Sequence, residues 1–234
     1  MKSNKNLDYV RIIYDENKKP LTSYPYKLSK HIFEKYKFKN NKKILDIGCG
    51  RGEFLNGFMK CGLEGYAVDQ SDTVLKYLPN IPFKKANIEN EGIPYKDNFF
   101  DIVYSKSVIE HFYNPDKLVQ EMFRVLKPGG IAITLCPSWE YNYKIYFEDY
   151  THRSPFMKSS LRDIMIINGF QNVKVDFFRQ LPILWRKKYL VLLSEMTRIF
   201  LPDFLYKTNS SNKLNKWIRF SKEIMLIAYS KKPS

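Results

Sequence analysis

The sequence predicts an α/β fold, a doubly wound and mostly parallel sheet with helices on both faces. Three observations predict it. Apolar runs alternate with stretches of helical character from Lys43 to Pro137, the pattern of parallel strands joined by right-handed crossovers. The first run, Ile44-Leu45, leads into Asp46-Ile47-Gly48-Cys49-Gly50-Arg51-Gly52-Glu53-Phe54, an acid followed by three glycines at every second position. Glycine accepts positive φ and leaves no Cβ between the backbone and a ligand. A further run, Glu64-Gly65-Tyr66-Ala67-Val68-Asp69, ends in a second acid, about where an open α/β sheet places a carboxylate for ribose hydroxyls.

The elements follow in order. Residues 1–40 read as an N-terminal cap. Tyr24-Pro25-Tyr26 turns into a helix over Lys27–Lys37, with Leu28, Ile32 and Phe33 at helical spacing. This helix either covers the ligand mouth or packs on the sheet. Its His31 reads as a surface residue. Residues 41–137 are the ligand-binding half. After the first two strands, Phe83–Glu89 contains a short third. Asn98–Ser105 is the fourth and leads into Val108-Ile109-Glu110-His111. A helix runs through Glu121–Leu126 into a Pro128-Gly129-Gly130 turn, and Ile131–Leu135 is the fifth strand, ending at Cys136-Pro137.

Residues 138–180 form a substrate-side loop, helix and strand. Trp139, Tyr141, Tyr143, Tyr146, Phe147 and Tyr150 put six aromatic rings in twelve positions. Ser159–Asn168 is a helix, with Ser159 or Ser160 as cap and Gly169 as stop. Phe170–Phe177 is the sixth strand. Residues 181–222 are a basic, apolar helical insertion, long for a plain connection. Residues 223–234 hold the last strand, Glu223–Tyr229, and a polar tail.

Composition fits one domain of 234 residues with 44% hydrophobic residues. Cys49, Cys61 and Cys136 match no zinc spacing, and their odd count suits a reducing, cytoplasmic setting. Met1-Lys2-Ser3-Asn4-Lys5 has no apolar run behind it, so no signal peptide is expected. The net charge of +15 fits a lysine-rich surface, an anionic substrate or a membrane face. It is spread over clusters at Lys35–Lys43, Arg179–Lys188 and Lys213–Lys222, without the tract of a nucleic-acid arm.

Asp46 at the glycine bend suits a sulfonium or an amine better than a pyrophosphate, because like charges repel. The bend resembles the first motif of class I S-adenosylmethionine-dependent methyltransferases. The Asp69, Asn98–His111 and Glu121–Pro137 blocks follow in that family's order. The resemblance implies a Rossmann-like, seven-stranded sheet whose last strand inserts antiparallel beside the fifth. It implies S-adenosyl-L-methionine as cofactor and S-adenosyl-L-homocysteine as product. It places Asp46, Gly48, Cys49, Gly50 and Gly52 near the methionine part, Asp69 and Gln70 at the ribose, Asn87 and Ile88 at the adenine, and Ser105 at the fourth strand's end. The family often carries Asp where Asn87 stands, and an Asn side-chain oxygen still accepts from an amino group. Cys49 reads as a small packing residue. Amino-methylating members often carry Asn-Pro-Pro-Tyr or Asp-Pro-Pro-Tyr where this chain has Ser105-Lys106-Ser107-Val108, which disfavours methylation of DNA bases or amides.

An alcohol acceptor has a proton to lose, so a base working near neutral pH helps. Asp149-Tyr150-Thr151-His152-Arg153-Ser154-Pro155-Phe156 resembles a stretch of bacterial methyltransferases associated with surface polysaccharide. His152 is the candidate base, oriented by Asp149 or Glu148, with His111 as second candidate. Glu110 shapes the pocket, Tyr150 and Trp139 offer faces for a sugar, and Arg153 offers a two-pronged clamp for an anion. Alternatively His152 and Arg153 tie the loop to the core. A metal on Asp149, His152 and Glu110 is conceivable, but the spacing is undiagnostic and no metal is expected. The expected activity is O-methylation of a small polar acceptor, a sugar or glycan intermediate of cell-surface polysaccharide. Methylation of a quinol or isoprenoid at the membrane, with contact through 181–208 at its inner face, is an alternative. A non-catalytic RNA-binding protein of the same fold is another, although nucleic acid is not an expected partner. The sequence leaves the oligomeric state open.

Overall fold

The computed structural model describes residues 20–202, 205 and 212–234. The first nineteen residues of the cap and Phe204 of the insertion lie outside them. Seven strands form one sheet: β1 (Lys43–Ile47), β2 (Glu64–Asp69), β3 (Phe83–Lys85), β4 (Phe100–Lys106), β5 (Leu126–Pro137), β6 (Gln171–Arg179) and β7 (Ile224–Lys231). Their order is β3-β2-β1-β4-β5-β7-β6. The pairs from β3 through β5 are parallel, and β7 runs antiparallel between β5 and β6.

Both faces of the sheet are covered, as its apolar strands require. On one face α1 (Tyr24–Lys35) and α2 (Glu53–Lys60) bring Leu28, Ile32, Leu55 and Phe58 against Ile44, Ile102, Tyr104 and Ile133. On the other, α3 (Pro115–Val125) and α4 (Lys158–Ile167) bring Leu118, Met122, Leu161 and Met165 against Leu45, Val103 and Ala132. Leu28 and Ile32 are fully buried here, so α1 packs on the sheet. It starts three residues earlier than its apolar spacing predicts, because Pro25 in its first turn needs no N–H partner. His31 is not a surface residue: its ring stacks on Trp185 with centroids 4.6 Å apart.

Two further boundaries differ from expectation. β5 begins at Leu126, not after the Pro-Gly-Gly turn. Leu126 pairs with Phe100 and Ile131 with Ile102, so Lys127–Gly130 is a bulge within one strand, bent where Gly129 takes φ +75°. In α4 neither Ser159 nor Ser160 is the N-cap; Met157 is, and its N–H donates to Ser160 Oγ at 2.9 Å from inside the first turn.

The insertion folds as α5 (Pro182–Arg186), α6 (Leu190–Phe200) and α7 (Lys213–Lys222). Buried Ser194 donates to Ser221 Oγ at 2.9 Å, and Trp217 Nε1 donates to Thr197 Oγ1 at 2.9 Å, pinning α6 to α7. Trp185 Nε1 donates to the Arg179 carbonyl at 2.8 Å, and Arg179 pairs with Glu195. Among the described residues no helix is long and apolar enough to cross a membrane.

Candidate active site

The glycine bend sits at the carboxyl end of β1. Gly48 N–H donates to the Val68 carbonyl at 2.9 Å, and Gly52 N–H to the Cys49 carbonyl at 2.7 Å. Gly48, Gly50 and Gly52 all take positive φ. A Cβ on Gly48 would lie 2.4 Å from Val108 Cγ2, so the bend touches the loop after β4. A Cβ on Gly50 would meet nothing within 4 Å. That open space leaves the Gly50 backbone accessible to a ligand.

The two acids differ. Asp69 Oδ2 accepts from Gly50 N–H at 2.8 Å and Oδ1 from Ser71 N–H at 2.8 Å, so Asp69 anchors the bend itself. Asp46 is buried, and its Oδ2 has no hydrogen-bond partner. Burial, then the nearby Asp69 charge, holds its carboxyl well above the usual carboxylate range. Asn87 precedes the one-turn helix Ile88–Glu91, and its Oδ1 is likewise buried and unpartnered. Ser105, opposite Ile47 across β1 and β4, has a buried Oγ in the same condition. Gln70 is exposed. The Cys49 and Ile88 side chains lie in the core, so only their backbone is left to face a ligand. Burial also pushes the Cys49 thiol up, away from nucleophilic use.

The residues fit S-adenosylmethionine. Asp46 offers an unmatched carboxylate oxygen for a cation, Gly50 an open cradle, Asp69 a doubly anchored carboxylate and Asn87 an unmatched acceptor.

A second cluster lies at the ends of β4 and β5, beside a cavity of about 160 Å³ lined in part by Lys106, Ser107, Asn142, Tyr146, His152 and Glu223. The His111 and His152 rings are 4.9 Å apart. Sequence reasoning assigned Asp149 or Glu148 to His152, and the structure differs. His152 Nδ1 lies 2.6 Å from the Tyr146 carbonyl. Asp149 Oδ1 accepts from Thr151 Oγ1 at 2.6 Å, and Thr151 Oγ1 lies 2.9 Å from His111 Nδ1. The acid therefore orients His111 through a threonine. A backbone carbonyl orients His152, and Glu148 is exposed.

Glu110 is fully buried, and neither carboxylate oxygen has a partner; burial pushes its carboxyl up to about 8. Burial and the neighbouring His152 lower His111 below the usual histidine range. The Glu110 carbonyl accepts from Arg153 N–H at 2.7 Å and Ser154 N–H at 3.0 Å, which clamps the two loops together. Arg153 Nη1 donates to the Tyr150 and His152 carbonyls, and its guanidinium lies 5.0 Å from the Tyr113 ring. The Nη1 end of Arg153 thus ties its own loop together. Tyr150 is 75% exposed, and Trp139 packs edge-on against Tyr146 with centroids 5.3 Å apart. Neither ring is among the cavity's lining residues. Sequence reasoning passed over Thr151 and Tyr146 as site residues. Thr151 lies inside the Asp149–Phe156 stretch, and its hydroxyl is the local signal. Nothing local marked the Tyr146 carbonyl.

The strand order, the open glycine bend and the acid at the tip of β2 define a class I S-adenosylmethionine-dependent methyltransferase fold. Residues 45–134 match the methyltransferase domain family. The chain is 40% identical over 115 residues to the probable methyltransferase ltbC of Aspergillus luteorubrus, covering 41% of this chain and 40% of that protein. It is 30% identical over 110 residues to the ubiquinone/menaquinone biosynthesis C-methyltransferase UbiE of Serratia proteamaculans, covering 42% of this chain and 43% of that one. The chain thus spans about two fifths of these relatives' length. Among solved structures it resembles an S-adenosylmethionine-dependent methyltransferase from Archaeoglobus fulgidus, with TM-score 0.64, 21% identity and coverage of 96% and 100%. It also resembles a methyltransferase solved in complex with the Haloferax volcanii Trm112 methyltransferase activator, with TM-score 0.71, 16% identity and coverage of 97% and 99%. At these identities the structures speak to the fold alone.

Proposed function

We propose that this chain is an S-adenosylmethionine-dependent O-methyltransferase acting on a small polar acceptor, a sugar or glycan intermediate of cell-surface polysaccharide, on the cytoplasmic side. The observation that carries the reading is the set of unmatched acceptors, Asp46 Oδ2 and Asn87 Oδ1, around the open face of Gly50. Bound there, the cofactor supplies an electrophilic methyl group on a cationic sulfur. Asp46 balances the positive charge, Asp69 at the tip of β2 accepts from the ribose, and Asn87 accepts from the adenine amino group. The polar side chains in the lining of the neighbouring cavity, Lys106, Ser107, Asn142, Gln180 and Glu223 among them, suit an acceptor with several hydroxyls. Both histidines donate through Nδ1, so each carries its lone pair on Nε2. His152, which lines the cavity, takes the hydroxyl proton, and His111 stands behind it. Holding donor and acceptor in line supplies most of the remaining rate.

Calorimetry and methyl transfer test this together. The wild-type chain is expected to bind S-adenosylhomocysteine, and Asp69→Ala to bind it at least tenfold more weakly. His152→Ala should keep that affinity and lose about 10²–10⁴-fold in transfer of labelled methyl to nucleotide sugars. Unchanged S-adenosylhomocysteine affinity in Asp69→Ala would overturn the cofactor assignment, and unchanged turnover in His152→Ala the base assignment.

A second reading rests on the insertion. Leu192, Leu193, Met196, Ile199 and Phe200 are exposed on α6, just after Lys187 and Lys188. An exposed apolar stripe beside lysines suits a membrane interface, and with it a quinol, an isoprenoid or a lipid-linked glycan as acceptor.

A further inference from the structure

We propose that Glu110, His111 and His152 together bind a divalent first-row cation such as Zn²⁺, Mn²⁺ or Co²⁺. The proposal goes beyond methyl transfer and does not require it; a His152 Nε2 that ligates a cation no longer acts as the base, so with the cation bound the acceptor hydroxyl would lose its proton to solvent and not to His152. One ligand atom from each of the three side chains lies within 4.8 Å of the other two. Glu110 and His111 stand on the turn Ile109–His111 after β4, and His152 comes from the loop after β5. The Glu110 carbonyl takes the Arg153 and Ser154 amides, so the two ligand-bearing segments are already held together.

The hydrogen bonds settle which nitrogens bear lone pairs. A carbonyl only accepts, so His152 Nδ1 carries the proton it gives to Tyr146. The Thr151 hydroxyl spends its one proton on Asp149, so toward His111 Nδ1 it accepts. Both rings therefore present Nε2 as a donor atom for a metal. A carbonyl on one imidazole and a Thr–Asp relay on the other are the kind of outer partner that fixes metal-binding histidines. The third ligand supplies the second, independent sign. Glu110 is 0% exposed, yet both carboxylate oxygens lack a hydrogen bond. Burying a carboxylate without a partner is costly, and a cation between it and the two imidazoles removes that cost.

Two imidazoles and one carboxylate are a borderline donor set. They suit zinc or manganese better than calcium, which takes oxygen ligands. Three protein ligands leave at least one position open, as at catalytic rather than structural sites. His152 also lines the cavity at the ends of β4 and β5. The class of ligand for the open position is thus a hydroxyl or water oxygen, whose acidity a bound cation raises.

The test uses the full chain, stripped with a chelator and dialysed against Co²⁺, without cofactor or acceptor. One equivalent of cobalt per chain is expected, with visible absorption bands from imidazole ligation. Glu110→Gln and His152→Ala should lose the bands. Thr151→Val keeps all three ligands and breaks only the relay, so it should bind about 10–100-fold more weakly. Circular dichroism melts check that each variant folds. A wild-type chain that binds no cobalt overturns the proposal even if every variant misfolds. Folded variants that bind as the wild type does overturn it equally. Either failure leaves the S-adenosylhomocysteine measurement, and with it the methyl-transfer reading, standing.

Discussion

Asp46 is the residue whose cost and use are easiest to separate. Its carboxyl is buried, one oxygen is unmatched, and Asp69 adds a like charge nearby. Its folded pKa therefore lies well above the ordinary 3.8. Below that ordinary value both folded and unfolded chains hold the proton, and Asp46 costs nothing by ionising. As pH rises toward the raised value the unfolded chain releases its proton first, so stability falls through that window. Asp46→Asn should remove this slope: in urea unfolding without cofactor, the variant matches the wild type near pH 4 and exceeds it at neutral pH. Cofactor binding should move the opposite way. The ionised carboxylate is the form that pairs with a cation, so wild-type affinity for S-adenosylmethionine rises with pH across the same window. The variant is flat and weaker by about tenfold or more, since a hydrogen bond to a charged group contributes about 1.5–3 kcal/mol. A wild type whose affinity does not change across that window would show that Asp46 plays only a structural part. Asp46 and Asp69 were legible in the sequence because each closes an apolar run, and strand ends are where ligands meet a parallel sheet. The Asp149–Thr151–His111 relay was half legible. The acid and the threonine are two residues apart, but the histidine they serve is forty residues from the threonine. The clamp at the Glu110 carbonyl, together with Ser154 Oγ donating to the Phe112 carbonyl at 2.9 Å, brings it there.

At the scale of elements, local signals decided what was readable. The glycine bend, the apolar runs and Gly169 mark strands and stops within a few residues of where they occur. The start of β5 was not readable, because a bulge is a property of a pair. Phe100 on β4 and the tail on the far side hold Leu126 in register, while Pro128-Gly129-Gly130 alone reads as a turn. The insertion was readable as helical and apolar, but not in which face it buries. Ser194 and Thr197 face inward on α6, whereas Leu192 and Phe200 are 70% and 73% exposed. Polar inside and apolar outside reverses the usual rule for a surface helix, and an exposed stripe of this kind marks an interaction face. Exposed substitutions away from special features change stability by about 0.5 kcal/mol or less. The double variant Leu192→Glu/Phe200→Glu is therefore expected to melt like the wild type. If α6 lies on a membrane, the wild type co-sediments with anionic vesicles and the variant stays in solution. A wild-type chain that remains in the supernatant removes the membrane reading and leaves the soluble-sugar reading untouched.

The whole molecule depends on its last strand more than the position of the candidate site suggests. Everything proposed to touch cofactor lies before residue 106, and the methyltransferase domain match ends at residue 134. Yet β7 sits inside the sheet, antiparallel between β5 and β6, and is the strand through which β6 joins the rest. Ile224, Met225, Leu226, Ile227 and Ala228 are all buried, a continuous apolar run as expected of a strand covered on both faces. Its four large side chains contribute about 1.5–3 kcal/mol each on burial. That sum, about 6–12 kcal/mol, is comparable with the about 5–15 kcal/mol net stability of a typical domain. The segment after the run adds a second tie: Lys232 Nζ donates to the Phe123 and Leu126 carbonyls at 2.8 Å each, and the Lys232 carbonyl accepts from Gly129 N–H. The tail thus holds both the end of α3 and the bulge of β5. A chain ended at residue 222 is therefore expected to show no cooperative thermal transition and no S-adenosylhomocysteine binding, although every proposed cofactor residue is present. Lys232→Met, which keeps β7 and loses only the ammonium contacts, should melt cooperatively and cost about 1–3 kcal/mol. If the shortened chain instead melts as one unit near the wild-type temperature, the first five strands and their helices hold the cofactor crevice unaided, and the closing of the sheet by β7 has no part in it.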